Sequence, residues 1–354
     1  MAIFFAFIAT YFSILLAIPF AEKIGLVDTP CQRKRHVGAI PLIGGLAIFL
    51  AVLVSVLVFL PLDRSTLCYL FCAMAIVCLG VVDDYRQLGV KIRLAVQVAV
   101  ALLMMWGSET YIHYLGDLPY LGRVELGAFG IPFTVVAVIG AINAYNMIDG
   151  IDGLAGSMSI VTFSSIAALI LINGGELSIL PLIIIATLVP YLAFNLGVKG
   201  HRSKKIFMGD AGSMFIGLSV VWLLMAFTQS NHSNAFSPVT ALWIIAVPLM
   251  DMVAIIIRRV RKGQSPFMAD RDHLHHIFMR IGFSPRKALF TITVFAVVLS
   301  ITGIVFEVLN VPNWFSLFTF LIIFCFYYYG VQHAWKLARY LRVALAKKER
   351  KLRG

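Results

Sequence analysis

Asp83 and Asp84 stand side by side, with Gly80-Val81-Val82 before them and Arg86, Lys91 and Arg93 after. Adjacent carboxylates repel, and a proton or a divalent cation relieves the repulsion. Mg²⁺ in particular is held by one or two carboxylates together with substrate phosphate oxygens. An acidic pair closing an apolar segment also occurs as plain interfacial polarity. The run from Asn143 to Leu154 is more specific. Its Asn146, Asp149 and Asp152 recur at every third residue, which on a helix or tight turn gathers their oxygens on one side, while Gly150 and Gly153 permit close backbone approach. An EF-hand loop needs oxygen ligands at every second position and a closing glutamate, so the spacing excludes one.

Two further segments carry chemistry. Lys204-Lys205 precede Gly209-Asp210-Ala211-Gly212-Ser213 at the start of an apolar stretch. A helix N-terminus of small residues exposes N–H groups to a phosphate, and Asp210 there serves as a metal ligand, as an N-cap, or as both. The stretch 258–287 is strongly basic and contains Asp270-Arg271-Asp272-His273-Leu274-His275-His276. Three histidines in four positions suit zinc, but the neighbouring arginines and the absence of cysteine suit a diphosphate better. Asp251 follows Pro248 inside an apolar run and is either functional or paired with a neighbouring helix.

The elements that position these groups must cross a membrane. The chain is 60% hydrophobic and only 13% charged, with a mean hydropathy of +0.92, outside the range of soluble domains. Apolar runs near 2–21, 40–60, 65–82, 91–107, 131–147, 154–173, 177–196, 211–228, 238–257, 287–309 and 313–333 predict an all-α polytopic membrane protein of about eleven spans. The first run has no basic segment ahead of it and reads as a span rather than a signal peptide. Placing the N-terminus outside puts all of the 29 Lys and Arg except Arg64 and Arg123 in cytoplasmic segments, which is the positive-inside pattern with a cytoplasmic C-terminus. The net charge of +12 then reflects topology and anionic lipid rather than nucleic acid. Residues 1–333 read as one integral membrane domain and 334–354 as a basic amphipathic tail. The outer segment 108–130 predicts a small β-hairpin, and the five cysteines read as free thiols.

With this orientation the unusual polar groups share the cytoplasmic interface: Arg33-Lys34-Arg35-His36, Asp83-Asp84, the 143–153 run, Asn195, Gly209-Asp210 and the histidines. A transporter would bury such groups near the midplane of broken helices, so chemistry at the inner surface is favoured. A metal- or proton-coupled transporter remains the alternative class.

Taken together these segments resemble the polyprenyl-phosphate N-acetylhexosamine-1-phosphate transferase family. The resemblance rests on Val27-Asp28-Thr29-Pro30, Arg33 to His36, Pro41 with Gly44-Gly45, Asp83-Asp84, Asn146 with Asp149-Gly150 and Asp152-Gly153, Gly209-Asp210 and His273-Leu274-His275-His276, in the family's order. The histidine spacing is similar to the Gram-negative members that make undecaprenyl-diphospho-GlcNAc. It departs from the consecutive histidines of the pentapeptide translocases.

The resemblance implies transfer of GlcNAc-1-phosphate from UDP-GlcNAc to undecaprenyl phosphate at the cytoplasmic face of a bacterial inner membrane, with release of UMP and entry into lipid-linked glycan (O-antigen or lipopolysaccharide) synthesis. Another UDP-N-acetylhexosamine is the alternative donor. The cofactor implied is Mg²⁺, or Mn²⁺, on Asn146 and Asp210, with Asp83 and Asp84 as further candidates. Asp83, Asp84 and Asp149 would face the attacking lipid phosphate, and Asp152, also a catalytic candidate, would face the uridine with Asn195. His273, His275, His276 and Arg271 would hold diphosphate and sugar, and Lys34, Arg35 and His36 complete the substrate-binding set. The expected partners are the two substrates and membrane lipid, with a homodimer left open. A phosphate monoester, with a second pKa near about 6, is already largely ionised at neutral pH, so charge neutralisation and in-line positioning matter more than a strong base.

Overall fold

The computed structural model describes residues 1–29, 38–119, 122–174, 178–198, 200–201, 204–229, 235–266 and 273–333. Helices dominate, as they must where lipid offers the backbone no hydrogen bonds. In chain order they are α1 (Ala2–Ile24), α2 (Gly44–Phe59), α3 (Arg64–Arg86), α4 (Val90–Ser108), α5 (Gly130–Ile148), α6 (Leu154–Ile172), α7 (Ile179–Asn195), α8 (Gly209–Thr228), α9 (Pro238–Ile244), α10 (Ala246–Arg261), α11 (Leu274–Ile281), α12 (Pro285–Val308) and α13 (Asn313–Gln332). Two short antiparallel pairs accompany them: β1 (Val27–Asp28) with β2 (Ile40–Pro41), and β3 (Tyr114–Leu118) with β4 (Gly122–Glu125). The second pair is the hairpin expected within 108–130. It is fastened at that end of the bundle by the buried Gln229, which accepts from His113 N–H and donates to Tyr114 O.

Among the described residues eight helices are long and apolar enough to cross a membrane, and α9 with α10 passes the same test as a bent pair. The expected spans at 40–60 and 177–196 appear as the shorter apolar helices α2 and α7, below the roughly 20 residues a full crossing takes. The continuous span expected at 238–257 is broken, α9 and α10 meeting at 84°. Pro248 lies in the first turn of α10 and has no N–H to offer the carbonyl of Ile244. That carbonyl accepts instead from Thr162 Oγ1 at 3.4 Å.

The bundle is organised around α8. Its apolar stretch is 89% buried, against 17% for α1 and for α13, and it packs on α2, α3, α5 and α6. Small residues make this possible, since between membrane helices packing replaces the hydrophobic effect as the driving force. A Cβ on Gly80 of α3 would stand 2.3 Å from Ala211 Cα, and one on Gly45 of α2 would stand 2.1 Å from Gly212 N. Some polar side chains inside the bundle pair across helices, as in Tyr69 with Ser219 at 2.9 Å and Trp243 with Ser316 at 3.0 Å.

Extended backbone locks the start of α8 in place. Phe207 N–H donates to Pro41 O at 2.9 Å, Gly44 N–H to Phe207 O at 2.9 Å and Gly45 N–H to Met208 O at 2.9 Å. The Pro41 to Gly45 segment is therefore a backbone splint for Gly209-Asp210.

Gly80→Ala is expected to lower the melting temperature in detergent and broaden the size-exclusion peak, because backbone rather than a flexible side chain opposes the methyl; overpacking of this kind costs about 1–3 kcal/mol. Gly89→Ala, with nothing within 4 Å of the added atom, is expected to leave both measurements unchanged.

Candidate active site

The ends of α3, α5 and α7 and the starts of α4, α6 and α8 meet at the end of the bundle opposite the β3–β4 hairpin, and the predicted acids come together there. Asp83 and Asp84, adjacent in sequence, are separated by their partners. Asp83, 4% exposed, accepts from Leu88 N–H at 2.6 Å and from Arg93 at 3.0 Å, closing the α3–α4 turn. Asp84 accepts from the backbone N–H groups of Asp210 at 2.9 Å and Ala211 at 3.3 Å. It thus sits on the positive end of α8, where unpaired N–H groups and the helix dipole favour an anion.

Asn146, in the last turn of α5, donates to Asp210 Oδ1 at 2.8 Å and to Ser213 Oγ at 3.1 Å. Its pairing with Asp210 brings together the two residues expected at a metal. The Asp210 carboxylate lies within electrostatic reach of those of Asp83, Asp84 and Asp149. Among the described residues no three His, Cys, Asp or Glu side chains are arranged to enclose an ion by themselves. The donors present suit a divalent cation held by one or two carboxylates, with water and phosphate oxygens completing its shell.

Between α5 and α6 the chain turns through Asp149, Gly150, Ile151, Asp152 and Gly153. Asp149 ends α5, and desolvation first, then the charges of Asp210 and Asp152, push its carboxyl up to about 7. Asp152 pairs with Lys205 at 2.6 Å. Asn195 is 3% exposed and uses both ends of its amide on backbone, accepting from Gly153 N–H at 2.6 Å and donating to Ile206 O at 2.9 Å. It braces the turn that carries Asp152, the residue expected beside it at the uridine.

The histidines close over this turn. A Cβ on Gly150 would lie 2.1 Å from His275 Nε2, so the ring rests on a residue that has no side chain. His275 is 2% exposed, and neither ring nitrogen has a hydrogen-bond partner among the described residues. Burial, aided by His276 and His273, pushes it down to about 3, so it is neutral at physiological pH. The rings of His273 and His275 stack at 5.7 Å and 4°. Parallel stacked rings do not aim their nitrogens at a common point, as a histidine zinc site requires. His273 is held by Asp251 at 2.9 Å, so that buried acid has its partner in the histidine segment. Lys34, Arg35, His36 and Arg271 lie outside the described residues.

Sequence reasoning left two members of the site without a role. Lys205 was read only as a positive charge before α8, and the proximity of Asp152 could not be inferred across the intervening helices. Tyr327, which donates to Asp251 Oδ1 at 2.8 Å, sits in an apolar run with no local signal at all.

Residues 66–228 match the family described as glycosyl transferase family 4. Over 339 residues the chain is 44% identical to the undecaprenyl-phosphate alpha-N-acetylglucosaminyl 1-phosphate transferase of Escherichia coli K12, covering 95% of this chain and 92% of the relative. The proteins of the same name from Yersinia pestis and Haemophilus influenzae are 43% and 42% identical, covering 91% and 97% of this chain and 88% and 96% of theirs. Matched in this way from end to end, and with its acids gathered where three helices meet, the chain belongs to glycosyl transferase family 4.

Proposed function

We propose that the protein transfers GlcNAc-1-phosphate from UDP-GlcNAc to undecaprenyl phosphate, giving undecaprenyl-diphospho-GlcNAc and UMP. The observation that carries this is the convergence of Asp83-Asp84, Asn146, Asp149 and Asp210 from α3, α5 and α8 at one bundle end, in a chain similar throughout to enzymes named for that transfer. The basic residues support placing that end in the cytoplasm of a bacterial inner membrane, with eleven membrane segments if α2, α7 and the bent α9–α10 pair are each counted as one.

In the reaction an oxygen of the lipid phosphate forms a bond to the sugar-linked phosphorus, and the bond from that phosphorus to the bridging oxygen breaks, its electron pair leaving with UMP. A divalent cation, Mg²⁺ or Mn²⁺, would rest on Asp210 and Asn146, next to Asp84, and supply charge neutralisation for the diphosphate. The chain's own groups orient the reactants. Asp83 and Asp84 both accept hydrogen bonds from fixed donors, which reduces their nucleophilicity, so direct attack by the lipid phosphate fits better than a phospho-aspartate. Asp149, with its carboxyl near neutrality, is suited to take the remaining proton of a monoanionic lipid phosphate, whose second pKa is near about 6. Lys205 beside Asp152 and the neutral His275 line the donor side.

Purified in detergent, the protein is expected to release UMP from UDP-GlcNAc only when undecaprenyl phosphate and Mg²⁺ or Mn²⁺ are present. EDTA should abolish release, and Asp84→Ala should lower the rate by about 10²-fold or more, as removal of preorganised electrostatics does. Parallel reactions with UDP-GalNAc test the sugar, and absence of release from any UDP-sugar would overturn the assignment.

A second test needs no turnover. Because the Asp149 carboxyl is raised above the ordinary value of about 4, the folded metal-free protein holds this proton where the unfolded chain has lost it. Its contribution to stability is complete below about pH 4 and is lost as pH rises through about 7. In EDTA the melting temperature is expected to fall between pH 5 and pH 8, less steeply in Asp149→Asn. Mg²⁺ should restore stability at pH 8, since a cation favours the ionised carboxylates.

A further inference from the structure

Asp251 is 2% exposed in α10, and its carboxylate collects donors from two other elements. Oδ1 accepts from Leu274 N–H at 3.0 Å, at the start of α11, and from Tyr327 O–H at 2.8 Å, on α13; Oδ2 faces His273 Nδ1 at 2.9 Å. With Oδ1 already accepting twice, Oδ2 accepts from Nδ1–H, and this fixes the tautomer of the imidazole and its rotation. The ring so held is stacked on His275, which rests on Gly150 of the Asp149 to Gly153 turn. A carboxylate in α10 thereby sets the height and tilt of the histidines above the acidic centre.

We propose that Asp251, braced by Tyr327, is a positioning residue for the nucleotide-sugar diphosphate. It acts through His273 and has no part in binding the lipid phosphate. The proposal rests on the transferase reading above. It differs from a general stabilising role in two ways: the effect must fall on one substrate, and it must vanish when His273 is absent.

The informative variant is Asp251→Asn. The amide keeps an acceptor for Leu274 and Tyr327 but presents an NH₂ to Nδ1, which moves the imidazole proton to Nε2 and leaves the geometry in place. The KM for UDP-GlcNAc is expected to rise about tenfold or more, the usual scale for removing a histidine's orienting carboxylate. The KM for undecaprenyl phosphate and the melting temperature should stay near those of the parent. In a His273→Ala background the same change should add nothing, because two residues that act as one unit are not additive. An unchanged KM for UDP-GlcNAc, an equal loss with and without His273, or a matching rise in both KM values would overturn the proposal. Should Asp251→Asn fail to fold, Tyr327→Phe takes its place in the same cycle, with a smaller rise expected that is again lost in His273→Ala.

A spectroscopic readout separates this inference from the activity itself. In ¹⁵N-histidine-labelled protein, with His273 assigned through His273→Ala, Nδ1 is expected to carry the proton in the parent and the lone pair in Asp251→Asn. A lone pair on Nδ1 in the parent overturns the positioning role even if UMP is released. Failure of the parent to turn over any UDP-sugar, with the tautomer as expected, overturns the transferase reading and not the Asp251–His273 arrangement.

Discussion

The carboxylate of Asp84 on the first N–H groups of α8 is the contact on which the remainder of the site depends. It is made at a helix end that has no other partner for those donors, and it is reachable because Gly80, one turn back on α3, lets the two backbones approach. Once α8 is fixed there, Asp210 is presented to Asn146, Gly209-Asp210 is held by the Pro41 to Gly45 splint, and Lys205 reaches Asp152. The acids of three helices become neighbours through one backbone-to-carboxylate contact at a crowded crossing.

Such an assembly has an electrostatic cost that the fold meets in different ways. Asp83 is paired with Arg93 and Asp152 with Lys205, while Asp84 accepts from the first N–H groups of α8. Asp149 has no such charge beside it among the described residues and retains a proton near neutrality through burial. The site is therefore preorganised but not neutralised, the condition under which a cation and a polyanionic substrate add to the structure and replace nothing within it. His275, buried and neutral, with no partner for either ring nitrogen among the described residues, is a polar reserve of the same kind against Gly150.

Much of this was legible in the sequence because membranes restrict the answer. Lipid permits few structures, so hydropathy alone predicted helices, and the short alternating segments within 108–130 predicted a hairpin. The three-residue recurrence of Asn146, Asp149 and Asp152 predicted a shared side. What could not be read was any effect of packing between distant segments. The break at Ile245 depends on Thr162 offering a hydroxyl to the orphaned carbonyl, and the inward role of Asn195 depends on the backbone of Gly153 and Ile206. Asp251 and Tyr327 belong to the same class: their meaning lies in each other and in His273.

The separation in the chain between Asp84 and its partner also has a bearing on biogenesis. The carboxylate waits for donors 126 residues further along. At translation rates of 5–20 residues per second that interval is roughly 6–25 s. During it α3 and α4 are already in the bilayer with an acidic pair at their junction, and water at the interface has to hydrate it. The nascent chain thus passes through a stage in which its most charged corner is open to the aqueous phase, and insertion of α8 is the event that dehydrates it. The acids of α3 are thus made before α8, on which the bundle is organised, and the histidines that lie over Gly150 are made later still, so an unfinished polypeptide carries the acids without their cover.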